Sequence, residues 1–225
     1  RAARRANRAH VHPVGALTVG LQGSTLTEMG ELEDAGCVAY SQGDVPLADT
    51  QVLLRAMQYA ATFGYRVWLR PQEISLTGDG VAHDGEVATR LGLLTVPVCA
   101  ETIAIANIVL LVKEIGVSVH LCRISSAEGL AMIRAAKQQG LPITCDVTIN
   151  HLHLSDMDIG FFDSNCHLMP PLRSSSDRDA LRHSLLDGTV DAICSDHAPV
   201  DEDAKLLPFA QSEVLKRGIP SLEFF

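Results

Sequence analysis

The sequence lacks the features that mark several large functional classes. It has no excess of basic residues: 18 Lys and Arg stand against 27 Asp and Glu, for a formal net charge of −9. A surface of that sign disfavours nucleic acid and anionic membranes as partners. The one basic cluster, Arg1, Arg4, Arg5 and Arg8, reads as a solvated helix face. No run reaches the roughly 18 uninterrupted apolar residues that a membrane span needs. No apolar core or cleavage site follows the basic start, so no secretory signal is expected. The six cysteines include no C-x-x-C pair, and most lie in apolar runs, where a free thiol behaves as a small hydrophobe. Reduced thiols in a cytoplasmic protein are therefore expected. Neither G-x-G-x-x-G nor G-x-x-x-x-G-K-S/T follows any strand candidate, which removes the main support for a nucleotide-binding open sheet.

What is present is enough apolar sequence for a core. Of 225 residues, 47% are apolar and 20% charged, the balance of one globular domain rather than a disordered chain. Short β-like runs, at residues 12–17, 36–41, 65–70, 117–124, 142–148 and 189–195, are almost continuously apolar. That pattern predicts strands covered on both faces. Helical segments lie between them, at 26–35, 50–63, 100–115 and from about 176 to 188. Another opens at Ser125-Ser126-Ala127-Glu128, which reads as a capping box with Ser125 as cap. Its apolar face is Leu130, Ile133 and Ala136, and Gly140 stops it. Alternating strand and helix units mean an α/β fold with a parallel sheet. Polar residues stand at the C-terminal ends of four strand candidates (Gln42, Arg70, Arg123 and Asp196), where (β/α)8 barrels place their chemistry. A barrel is the preferred reading, although it needs eight strands and the sequence offers six.

The stretch ICSDHAP ends one of these strands with Asp196 and His197 side by side. An acid there can ligate zinc or act as a general base, or it can simply cap a loop. A hydrolytic zinc also needs further histidine or carboxylate ligands converging on it. His10 and His12 form an H-x-H pair, but at the wrong end of their strand, so a surface position is expected. His151 and His153 read as loop residues, and His120 as a satisfied buried histidine. Arg70 and Arg123 carry permanent charge and cannot coordinate a cation. In one barrel mouth they would repel zinc and attract carboxylate, with an ion pair to Asp196 as one outcome.

Four stretches carry a family resemblance. ICSDHAP resembles the T-D-H-A-P-H signature of dihydroorotases, and MPPLRSSSDRDALRHSLLDGTVDAI resembles their N-P-P-L-R segment and the helix after it. RPQEISLTGDGVAHDGEVATRLGLLTVPVCAETIAIA and HLCRISSAEGLAMIRAAKQQGLPITCDVT resemble the stretches around the family's fifth and sixth strands. The resemblance implies a metal-dependent amidohydrolase TIM barrel that interconverts carbamoyl aspartate and dihydroorotate at a zinc centre. It implies that residues 1–225 form a single barrel domain holding strands three to eight. The first two strands, with the family's H-x-H, would come from outside these residues.

Carried across, the family's strand-four acid falls on Gln42 or Gly43, and its strand-five and strand-six histidines fall on Arg70 and Arg123. The asparagine before P-P-L-R is Met169, and the last histidine of the signature is Val200. Only the strand-eight aspartate remains, as Asp196, the single retained metal-ligand position. The resemblance is thus closest to the non-catalytic dihydroorotase-like subunits that assemble with the catalytic chain of aspartate transcarbamoylase in pyrimidine synthesis. It implies no catalytic residues and no cofactor. Zinc enters only under the alternative of an active cyclic amide hydrolase rebuilt around His120, His167, Asp196 and His197. A third possibility is a binding module whose Arg70 and Arg123 hold a carboxylated pyrimidine intermediate.

Overall fold

The computed structural model of the chain describes residues 9–197 and Phe209; the basic cluster at Arg1 to Arg8 lies outside them. Six parallel strands form the main sheet: β1 (Val14–Ala16), β2 (Ala39–Ser41), β3 (Val67–Leu69), β6 (Val119–Leu121), β7 (Ile143–Thr148) and β8 (Ala192–Cys194). Their order, β1-β2-β3-β6-β7-β8, follows the sequence without a reversal. That is the order of six consecutive units of a (β/α)8 barrel rather than of a doubly wound sheet. The remaining two strands, β4 (Ala82–His83) and β5 (Thr95–Val96), pair parallel with each other in a small separate sheet. At two residues each they carry too little periodicity to be predicted.

The helices form where the capping chemistry and apolar spacing require them. In α2 (Thr50–Phe63), Asp49 accepts from the amides of Gln51 and Val52, and Gly64 closes the helix at φ 71°. Leu53, Ala56, Met57 and Ala60 make its buried stripe, at the i, i+3, i+4, i+7 spacing of one helix face. The first helix, α1 (Met29–Asp34), is shorter than the expected 26–35. Two short helices, α3 (Ile74–Thr77) and α4 (Glu86–Leu91), flank β4, and α5 (Cys99–Ile115) follows β5. Beyond β6 and β7 come α6 (Ala127–Gln138), α7 (Ile149–His153) and α8 (Ser175–Leu186). Two apolar clusters result. The larger joins the outer face of the sheet (Tyr40, Val67, Leu69, Leu121, Val147) to α2, α5 and α6. The smaller, around Val81, Ala88, Ile159 and Leu172, lies under the β4–β5 sheet.

Three expectations need correction. The strands are not covered on both faces: alternate residues facing away from the helices stay open, with Thr144 exposed and Val14 and Ile193 at 40% and 43% exposure. Outer edges β1 and β8 pair with no second strand among the described residues, so the sheet is an arc and its inner wall is half solvated. The cap of α6 is Ser126, which accepts from the Gly129 amide, not Ser125, and no glutamate of its own helix reaches back. His151 is not a loop residue. It lies fully inside α7, where burial pushes its pKa down to about 4. A neutral ring donates through Nε2 to the Pro170 carbonyl at 3.1 Å and accepts at Nδ1 from Thr148 Oγ1 at 2.7 Å. His10 and His12 are exposed and precede β1.

Candidate functional site

The strand ends β2, β3, β6 and β8 bring Gln42, Arg70, Arg123 and Asp196 to the C-terminal mouth of the arc. Arg123 is the hub. Its Nη1 donates to both Asp196 oxygens, at 3.2 and 3.3 Å, and its Nη2 donates to Asp44 Oδ1. Both ends of the Arg123–Asp196 pair have left-handed backbones, φ 57° and 48°, at a cost of roughly 1–2 kcal/mol each for a residue with a side chain. At Arg123 the conformation is held by its amide, which donates to Asp146 Oδ1 at 2.7 Å. Burial lowers the Arg123 pKa, but the Asp196 and Asp44 carboxylates outweigh it and hold the guanidinium above its ordinary value.

Arg70 is placed differently. It gives one nitrogen to Gln72 Oε1 and another to the Asp44 carbonyl, and forms no ion pair among the described residues. Burial, with Arg123 nearby, pushes its pKa down to about 10. The ion pair to Asp196 is therefore made by Arg123 and not by Arg70. Gln42 is buried and accepts from Thr18 Oγ1 at 2.9 Å. Met169 Sδ lies 3.8 Å from Gln72 Nε2. A cavity of about 380 Å³ opens between these groups, lined by Asp44, Arg70, Gln72, Thr77, Arg123 and Met169 among others. Val200 lies outside the described residues, and His197 is exposed.

The rebuilt set of His120, His167, Asp196 and His197 is not gathered in one place. His120 bonds Thr144 Oγ1 at 2.8 Å and Asp146 Oδ2 at 2.9 Å. His167 is fully buried and stacks on Phe209 at 4.9 Å, and Asp196 is taken by Arg123. Among the described residues, the one group of three or more histidine, cysteine or acidic donors close enough to share a cation is His120, Cys122 and Asp146. The zinc centre implied by the resemblance does not fit the mouth. Guanidinium groups stand where two histidine ligands would be, and the surviving carboxylate is bonded to one of them.

Sequence reasoning missed a buried polar frame behind the mouth. Glu101, on α5, accepts from the amides of Ser125 and Ser126 at 2.9 and 3.0 Å and from both serine hydroxyls. Arg173, also buried, donates through Nε to Ser125 Oγ at 3.2 Å and through Nη1 to the Val96 carbonyl at 2.7 Å and His83 Nδ1 at 3.2 Å. Burial lowers the Arg173 pKa, against the pull of Glu101. The signal was available: Glu101 falls on the apolar stripe of Ile105, Ile108 and Val112 at i+4, i+7 and i+11. An acid on such a stripe must find buried donors. Asp146, inside the otherwise apolar β7, is a second such acid. Burial raises its pKa, but hydrogen bonds from His120, the Arg123 amide and Cys194 prevail and hold it low.

Comparison with known proteins places this geometry. A family model described as dihydro-orotase-like matches residues 1–129. The dihydroorotase-like protein of Pseudomonas aeruginosa is 44% identical over 211 residues, covering 94% of this chain and 50% of that protein. A protein named dihydroorotase in Citrifermentans bemidjiense is 39% identical over 214 residues, with 95% and 50% covered. The chain thus spans about half the length of the curated relatives it matches. Among solved structures, L-hydantoinase from Arthrobacter aurescens superposes with a TM-score of 0.75 at 20% identity, covering 94% of this chain and 50% of that one. Saccharomyces cerevisiae dihydroorotase in complex with 5-fluoroorotic acid gives 0.70 at 15% identity, with 99% and 61% covered. At these identities the likeness is one of fold.

Proposed function

The chain belongs to the dihydroorotase family, and on that premise we propose that it is a non-catalytic member that supports aspartate transcarbamoylase in pyrimidine synthesis. The observation that carries the reading is the Arg123 guanidinium, bonded to Asp196 at 3.2 and 3.3 Å. A fixed cation between Asp196 and Asp44 takes the place of a metal, and a guanidinium cannot acidify water for attack on an amide. The helices and the Glu101–Arg173 frame keep the barrel wall intact, which suits a scaffold. The partner in this proposal is the transcarbamoylase catalytic chain, in the cytoplasm. The six free thiols agree with a reducing compartment.

The test is turnover of dihydroorotate and carbamoyl aspartate by the purified protein, with and without added zinc, alongside transcarbamoylase activity in the presence of the protein. The expected result is no turnover above blank, with co-purification and a raised transcarbamoylase rate. Turnover lost on Asp196→Ala would overturn the proposal in favour of an active cyclic amide hydrolase.

A second reading is favoured by the 380 Å³ cavity, whose Arg70 has no carboxylate partner among the described residues. It would bind a small carboxylate such as carbamoyl aspartate, dihydroorotate or orotate. Calorimetry with the three would detect it, and the absence of heat with all of them would end it.

A further inference from the structure

Inside the arc, three donors from two neighbouring strands converge on one another, and a fourth, Cys194, stands beside one of them. His120 comes from β6, Cys122 directly follows it, Asp146 comes from β7 and Cys194 ends β8. The metal-binding atoms of His120, Cys122 and Asp146 all lie within 4.8 Å of each other. Cys194 Sγ is 3.3 Å from the Asp146 carboxylate, on the oxygen not used by His120. All four are largely withdrawn from solvent, and none is a position that the family resemblance makes a ligand.

We propose that His120, Cys122 and Asp146 form a site for a thiophilic divalent cation, which Cys194 completes by turning from the Asp146 carboxylate toward the ion, with zinc as the best match. One imidazole nitrogen, two sulfurs and one carboxylate oxygen are the donor mixture that tetrahedral zinc accepts, whereas calcium and magnesium require oxygen throughout. The surrounding bonds are those that hold metal ligands in place. Thr144 Oγ1, 2.8 Å from Nδ1, can accept from that nitrogen and so leave Nε2 unprotonated toward the ion. The Arg123 amide fixes the Asp146 carboxylate at 2.7 Å. The Arg123 guanidinium is neutralised by Asp44 and Asp196, so its charge opposes the cation less than a free arginine would.

The proton balance is simple. On loading, Cys122 and Cys194 each release one proton to solvent. His120 stays neutral and changes tautomer: the proton on Nε2, directed at Asp146, is given up to solvent, and one is taken up from solvent at Nδ1, directed at Thr144 Oγ1. Two thiolates, one carboxylate and a neutral imidazole around a dication leave a net charge of −1, with no redox step. With Cys194 turned in, all four positions are protein donors and the site is closed to substrate. It joins β6, β7 and β8 as a structural cross-link rather than activating water.

The test uses the full protein, stripped with a chelator and titrated with cobalt(II). The expected outcome is a thiolate-to-cobalt charge-transfer band in the near ultraviolet, saturating at one equivalent and discharged by zinc. Thr144→Val, which leaves every ligand in place, should weaken binding about 10–100-fold. The double variant Cys122→Ser, Cys194→Ser should lose the band. A second measurement on the unaltered chain covers the case in which that variant does not fold: zinc should protect Cys122 and Cys194, but not exposed Cys99, from alkylation mapped by mass spectrometry. No band, a band kept by the double variant, or equal alkylation with and without zinc would overturn the proposal. These outcomes are independent of the turnover assay, because no residue lining the mouth cavity is a cysteine.

Discussion

Replacing Glu101 by alanine should be among the most damaging single changes to this chain, although Glu101 does not line the mouth cavity. The carboxylate is 4% exposed and accepts from two backbone amides and two hydroxyls at the β6–α6 junction. Each hydrogen bond to a charged group is worth roughly 1.5–3 kcal/mol, and the four are not additive because they share one side chain. Arg173, 3% exposed, would also lose the negative charge that acts on it most strongly. Removing one member of a buried charged set costs about 3–5 kcal/mol. At 2–4 °C per kcal/mol for a chain of this size, the midpoint of thermal unfolding should fall by about 6–20 °C. Circular dichroism on the purified protein reads it directly. Glu101→Gln should fall between alanine and the parent, because its NH₂ group faces donors. A shift below about 2 °C for alanine would refute the idea that Glu101 organises the junction.

Other outcomes follow from the same physics. A Cβ on Gly129 would sit 2.6 Å from Glu101 Oε1 and 3.0 Å from Ile105 Cδ1. Gly129→Ala should therefore destabilise by about 1–3 kcal/mol despite alanine's better helix propensity, as denaturant unfolding will show. His151, with a folded pKa near 4 against an ordinary 6.5, takes up its proton more readily when unfolded. Its contribution is therefore constant above pH 6.5, and as pH falls from 6.5 to 4 up to about 3 kcal/mol is lost. Urea midpoints measured across that window should slope down with acid, and His151→Gln should flatten the slope while lowering stability overall. Asp196→Asn weakens an ion pair whose carboxylate side chain is 36% exposed. Its unfolding free energy should change by less than about 1 kcal/mol. A larger loss would mean that the bridge across the mouth holds the arc together.

Much of the fold was legible because parallel strands covered by helices write themselves as short apolar runs. All six runs became strands, and α2 matched its expected limits because Asp49 and Gly64 are unambiguous end signals. The strands are shorter than their runs mainly because pairing starts one to three residues after each run begins. The open inner wall was not legible: Trp68, His120 and Thr144 alternate with Val67, Leu121 and Cys145, but cysteine and tryptophan mask the alternation. At the mouth, strand-end placement identified Gln42, Arg70, Arg123 and Asp196. It could not say which arginine would meet Asp196, since that depends on Asp44, a loop residue with no periodic signal. The cap of α6 falls one residue after the expected Ser125, because the acid that serves both serines arrives from α5, 24 residues earlier.

The Glu101–Ser125–Arg173 frame also bears on how this surface can change over time. The walls of the mouth are pinned from behind, by side chains that contact neither Asp196 nor the face of Arg123 that meets it. Substitutions inside the mouth are thus uncoupled from those that keep its walls in register. The lining residues can drift, exchanging one chemistry for another or for none, without a compensating change in the frame. The reverse does not hold: a single change in the frame moves the whole rim at once.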